Sequence, residues 1–178
     1  MANLAFIATS LDGYIADKNN EIDWLYSIPN PNNLDMGFVK HMQSIDALVM
    51  GRNTFELVLT LECEWPYSKP VFVLSNTLSS VPASCEGKFS IVKGDLRELT
   101  TKLQDDGYKN LYIDGGVTIQ NFLKDDLIDE MIITTIPILL GAGISLFGQL
   151  KDTLEFRCIK SEVFPHGISQ SHFKRHRI

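Results

Sequence analysis

Three short stretches carry side chains and backbone that could grip phosphate: Arg52-Asn-Thr54, Ser75-Asn76 and Gly115-Gly116. A guanidinium meets a phosphate through two parallel hydrogen bonds, and a hydroxyl beside an amide can add more. The Gly-Gly pair lies between a strand-like run, Leu111 to Ile113, and a helical pattern through Ile119, Phe122, Leu123 and Leu127. A strand-to-helix turn of that kind aims free N–H groups and the positive helix end at one spot. Glycine there removes the Cβ atoms that would block an approaching anion. Each stretch also has a plainer explanation, as a tight turn, a cap or a solvated charge. Together they suit a phosphorylated dinucleotide.

The elements that must position these residues alternate. Leu4 to Thr9 is a continuous apolar run, as in a strand buried on both faces, and leads into the Ser10-Leu-Asp-Gly13 turn. Residues 17–33 are polar and rich in Asn and Pro, broken by Ile22, Trp24, Leu25 and Ile28, which predicts a long loop bordering a site. Asp35 precedes a helical pattern through Phe38, Val39, Met42 and Ile45 and can cap or begin it. Ala47 to Met50 is a second buried strand, and a helix through Phe55, Val58 and Leu59 follows it. Asn53 or Thr54 is its expected N-cap, leaving Arg52 free at the strand's end. Further strands are predicted at Val71 to Leu74, Phe89 to Val92 and Met131 to Ile136, with an amphipathic helix over 96–103. Residues 153–163 and 168–176 alternate polar and apolar across Pro165-His166-Gly167, a closing antiparallel hairpin. The pattern predicts one α/β domain over 1–178. It has three layers: a mostly parallel central sheet, helices on both faces and a C-terminal antiparallel hairpin.

In such sheets ligands bind beyond the carboxyl ends of the strands. Ser10 and Asp12, Arg52, Ser75-Asn76 and Asp114 all fall there.

Composition narrows the partners. The chain has 178 residues and a net charge of −6, with one short basic cluster at 174–177, so nucleic acid and anionic membranes are poor partners. No apolar stretch is long enough to span a bilayer, and Cys63, Cys85 and Cys158 are scattered, reading as free thiols of a cytoplasmic protein. Neither G-x-G-x-x-G, a Walker A loop nor G-x-S-x-G occurs. His172 and His176, four apart on a predicted strand, are too far apart to share a metal, so no metal site is expected.

Five motifs in order, Ser10-Leu-Asp-Gly-Tyr-Ile-Ala16, Met50-Gly-Arg-Asn-Thr-Phe-Glu56, Val73-Leu-Ser-Asn-Thr77, Tyr112-Ile-Asp-Gly-Gly116 and Pro137 to Gly143, resemble the dihydrofolate reductase-like superfamily. Within it the chain looks most like the reductase domain of riboflavin biosynthesis. The resemblance covers nearly the whole chain. It implies NADPH as cofactor and a homodimer. The Arg52-Asn53-Thr54 run would meet the cofactor, with Arg52 and Thr54 on its phosphates and Ser75 and Asn76 at the 2′-phosphate. Gly115, Gly116, Val117 and Thr118 would carry the pyrophosphate across a cis Gly-Gly bond. Backbone groups of Ala8 and Ile15 would orient the nicotinamide.

For the proton, the resemblance implies a carboxylate at the start of the first helix paired with a threonine, here Asp35 and Thr134. Asp35 reads equally as an N-cap, and Asp12 is a second candidate acid. Trp24, Met36 and Val39 would line the substrate side. The arginine that folate enzymes use for the substrate's tail is replaced by Lys69, which lacks the planar two-point grip, so folate itself is not the expected substrate. The resemblance therefore implies hydride transfer to a C=N or C=O of a small pterin-like or aminopyrimidine-like heteroaromatic. A true dihydrofolate reductase and a non-catalytic NADP binder are the alternatives.

Overall fold

Strand β1 (Ala2–Ser10) is the axis of the sheet. The computed structural model describes residues 1–30, 33–60, 65–78 and 87–177. In chain order the elements after β1 are β2 (Tyr14–Asp17), a 3-10 turn (Asp23–Tyr26), α1 (Phe38–Ser44), β3 (Ala47–Gly51) and α2 (Arg52–Thr60). β4 (Val71–Leu74), β5 (Phe89–Val92), α3 (Leu96–Asp105), β6 (Asn110–Asp114) and α4 (Gly116–Lys124) follow. The chain closes with β7 (Glu130–Ile136), β8 (Gly143–Ser145), β9 (Phe156–Val163) and β10 (Ser169–Arg175).

Eight strands form one sheet in the order β5-β4-β3-β6-β1-β7-β10-β9. Pairing is parallel from β5 to β7 and antiparallel at β7–β10 and β10–β9. The predicted hairpin therefore forms the antiparallel edge. β2 and β8 make a separate two-stranded sheet. β8 escaped sequence reading because three residues carry no usable alternation.

Alternate strand residues feed two cores, one on each face. Val49, Ile113 and Ala5 pack with Leu99 and Leu103 of α3 and with Ile119, Phe122 and Leu123 of α4. Leu48, Met50, Val73 and Tyr112 pack on the other face with Phe55 of α2, joined by Met42 of α1. Full burial of Phe122 or Ile119 contributes roughly 2–3 kcal/mol each against conformational entropy. These cores hold the strand ends, and with them the site, in fixed register.

Two local expectations change. α2 begins at Arg52 itself, because β3 runs into the helix at Gly51 with no intervening turn, so neither Asn53 nor Thr54 caps it. The Gly115–Gly116 bond is trans, as are all peptide bonds among the described residues; the turn is instead made by Gly115 at φ +90°. Among the described residues no helix is long and apolar enough to cross a membrane. Cys158 is free and exposed; Cys63 and Cys85 lie outside the described residues.

Candidate active site

A cavity of about 600 Å³ opens at the carboxyl ends of β3, β4, β5 and β6. That volume is ordinary for a cofactor or ligand cleft. Sheet order explains its membership: β4, β3 and β6 are neighbours, so the residues following each strand meet at one edge. Arg52, Asn53 and Thr54 enter from the start of α2, and Ser75 and Asn76 from the end of β4. Gly115, Gly116, Val117 and Thr118 supply the start of α4, and Ile15 comes from β2. Of the residues expected to hold a cofactor, only Ala8 does not line this space; its neighbour Ile7 does. Successive strand side chains face opposite ways, so Ile7 and Ala8 look onto different sides of the sheet.

The glycine turn is a fitted cradle. At φ +90° Gly115 occupies a region that side chains disfavour, and an added Cβ would run into Thr54 Oγ1. The first N–H groups of α4 have no partner within the helix and point out of its end. Val117, in that first turn, is 60% exposed. Cations surround the space. Arg52 lines it beside Lys93 and Lys124. Arg52 is not free, as expected from sequence, but oriented: Nε donates to Glu56 Oε1 at 2.6 Å and Nη1 to Thr77 Oγ1 at 2.9 Å. Ser75 Oγ accepts from the N–H groups of Thr77 and Leu78, which leaves its own proton available. Leu74, Val92 and Leu96 give the cavity an apolar stretch. These features fit a dinucleotide bearing several phosphates.

Lys93 and Lys124 were missed in the sequence. Lys93 directly follows β5, so the rule that singled out Arg52 and Ser75 would also have found it. Lys124 ends α4, a position that nothing local marks.

The proton-bearing candidates separate clearly. Asp35 is exposed, and its carboxylate accepts from Val39 N at 2.8 Å and Gly37 N at 3.1 Å. Those bonds, Val39 first, hold its pKa below the usual carboxylate value. An acid near neutral pH needs the reverse; here the Asp35 carboxylate ties the turn at Gly37 to the start of α1 at Val39. Its expected partner Thr134 is buried on β7 and accepts instead from Gln170 Nε2 at 2.8 Å. Asp12 is also held low, chiefly by the Ser10 hydroxyl at 2.6 Å, and it accepts from Gly141 N at 2.8 Å. It pins the first turn to the 137–143 loop.

Asp114 behaves differently. It ends β6, partly buried between the ends of β1 and β3, and burial pushes its pKa up to about 6. The Gly115 N–H at 2.8 Å and the Tyr112 hydroxyl at 3.4 Å oppose that shift without cancelling it. Sequence reading had placed Asp114 at a strand end and gave it no role.

Trp24, Met36 and Val39, like Asp114, lie outside the cavity lining. Met36 is joined to Thr134 through Gln170, and Val39 is exposed on α1. Trp24 Nε1 is buried and has no acceptor among the described residues.

A mostly parallel sheet with a cavity at the carboxyl ends of its strands and a C-terminal antiparallel hairpin defines the dihydrofolate reductase-like class. Solved structures that share it include the following three. A Shewanella sp. PV-4 protein, provisionally described as a riboflavin biosynthesis protein, is 60% identical, with a TM-score of 0.96 over 99% of this chain and 100% of its own. A Thermotoga maritima diaminohydroxyphosphoribosylaminopyrimidine deaminase/5-amino-6-(5-phosphoribosylamino)uracil reductase is 15% identical, with a TM-score of 0.73 over 98% of this chain and 57% of that one. Enterococcus faecalis dihydrofolate reductase, solved with NADP(H), is 19% identical, with a TM-score of 0.66 over 99% and 97%. At those lower identities the likeness is one of fold. The sequence pattern of the RibD C-terminal domain matches residues 4–169, and the chain belongs to that family.

Proposed function

We propose that this chain is a single-domain NADPH-dependent reductase, moving a hydride to a C=N or C=O carbon of a pterin-like or aminopyrimidine-like heteroaromatic. The observation that carries the reading is the cavity itself. It gathers a glycine cradle, an oriented arginine, two lysines and a free serine proton along one sheet edge. Membership in the RibD C-terminal domain family, and the NADP(H) held by the dihydrofolate reductase of the same fold, support it.

Arg52, Lys93 and Ser75 would hold the phosphate that distinguishes NADPH from NADH. The N–H groups of Gly116 to Thr118 would hold the pyrophosphate, and the backbone of Ala8 with Ile15 would orient the nicotinamide. NADPH, when bound, supplies the hydride. Asp114, rather than Asp35, would supply the proton to the substrate's nitrogen or oxygen and recover it from solvent. A carboxyl whose pKa is about 6 keeps a usable protonated fraction near neutrality, which an ordinary aspartate does not. Trp24 Nε1 would donate to the same substrate edge, with Met36 and Val39 lining the apolar side.

The test is NADPH against NADH binding to the purified chain, then to Arg52→Ala. A strong NADPH preference that the variant loses supports the site. Absence of binding for either cofactor sinks it. The homodimer rests on the family resemblance, helped by an edge strand, β9, that leaves Ile159 and Val163 55% and 74% exposed. Sedimentation reads it directly.

A further inference from the structure

Gln170, on β10, joins three stretches of chain that are distant in sequence. Its Nε2 donates to the carbonyl of Met36 and to Thr134 Oγ1, each at 2.8 Å. Across the sheet its register partner is Thr134 on β7, and the next is Ala8 on β1. Ala8, Thr134 and Gln170 thus form one row through three adjacent strands.

The turn that Gln170 holds is strained. Met36 sits at φ +52°, followed by Gly37 at φ +85°. A left-handed non-glycine residue is strained and persists only where its surroundings impose it. Two anchors do so here. Asp35 collects the N–H groups of Gly37 and Val39 from within the turn, and Gln170 holds the Met36 carbonyl from across the sheet.

The helix after this turn cannot fix itself. α1 has seven residues, of which His41 alone is buried, while Phe38 and Val39 are 38% and 57% exposed. A helix that short is unstable without tertiary anchors. Phe6 of β1 gives it one, with ring centroids 5.7 Å from Phe38 and 4.9 Å from His41. Gln170 anchors the start of the segment.

We propose that Gln170 is a positioning residue for the substrate side: its amide clamps the Met36-Gly37 turn to the Ala8–Thr134 row and so sets the gap between α1 and the strand ends. For its substrate the proposal rests on the reductase reading; for its geometry it does not. Both N–H bonds of one amide are committed, which explains the residue type. Leucine fills similar space and donates nothing. Glutamate keeps the length, but when ionised it repels the Met36 carbonyl and has no proton for Thr134.

The experiment compares wild type with Gln170→Leu and Gln170→Glu by backbone hydrogen exchange, NADPH binding and NADPH oxidation with 6,7-dimethyl-7,8-dihydropterin as probe. We expect amides at 37–41 to exchange about tenfold faster in Gln170→Leu while those at 116–122 keep their rates, the scale of one or two lost hydrogen bonds. NADPH affinity should stay within about twofold, and KM for the dihydropterin should rise about tenfold with kcat nearly unchanged. Gln170→Glu should recover activity as pH falls and its carboxyl gains a proton to donate. Unchanged exchange at 37–41 overturns the proposal. So does loosening that spreads equally to 116–122 with a matching loss of NADPH affinity. If wild type binds NADPH but does not oxidise it with the dihydropterin, that substrate class falls, and the exchange pattern alone decides the clamp.

Discussion

Asp114 Oδ1 accepts a hydrogen bond from the N–H of Gly115 at 2.8 Å, so the raised carboxyl and the glycine that opens the phosphate cradle are one unit. A shift in either moves the other, which would tie the proposed proton source to the proposed cofactor site.

Asp114→Asn keeps the acceptor for Gly115 and removes the proton. Reduction should slow by about 100-fold or more, the usual contribution of a positioned acid, with NADPH affinity nearly unchanged. Equal losses in both would assign Asp114 to cofactor binding instead. In wild type, kcat should fall as pH rises above about 6, as Asp114 loses its proton.

The same substitution makes a stability prediction of opposite sign. The folded pKa of Asp114 lies above its unfolded value, so its contribution is intact below about pH 4 and is lost as pH rises through about 6. Ionising it in the fold costs about 3 kcal/mol at neutral pH. Asp114→Asn should therefore raise Tm by several degrees at pH 8 and not at pH 4. Thermal scans at the two pH values check this, and equal shifts at both would refute it.

His41 works the other way. It is buried against Phe6 and Tyr112, and desolvation, with help from His172, pulls its pKa down to about 4. Its contribution is complete above about pH 6.5 and is lost as pH falls through about 4. Denaturant unfolding of His41→Phe should show about 3 kcal/mol less loss of stability than wild type between pH 7 and pH 4. Parallel curves would mean that His41 stays neutral in both states.

Gly115→Ala tests the cradle. Alanine at φ +90° is strained, and its methyl group meets Thr54. We expect NADPH affinity to fall at least about tenfold, measured by calorimetry, with a Tm loss of a few degrees. A variant that binds NADPH normally would show that the turn serves the fold alone.

Asp35→Asn, by contrast, should lower stability only slightly, through its weaker hold on Gly37 and Val39. Reduction should persist. A loss of about 100-fold in kcat with an unchanged Tm would return the acid role to Asp35.

The sequence alone determined the parallel strands of the main sheet, because strands buried on both faces read as unbroken apolar runs with punctuated ends. It also determined that Arg52, Ser75 and Gly115 each end such a run. Only the tertiary structure decided that β4, β3 and β6 lie side by side, which turns three separate strand ends into one cavity. It also gave two aspartates of identical chemistry different surroundings. Asp35, solvated and bonded by backbone N–H groups, has its pKa pulled below the usual carboxylate value, while that of Asp114, partly buried among neighbouring strands, is pushed up to about 6. Gln170 shows the same limit: its hydrogen bonds reach 36 and 134 positions away, and no local periodicity carries information over that distance. A residue's type is written in the chain, but its solvation and its partners exist only once the strands have found their order.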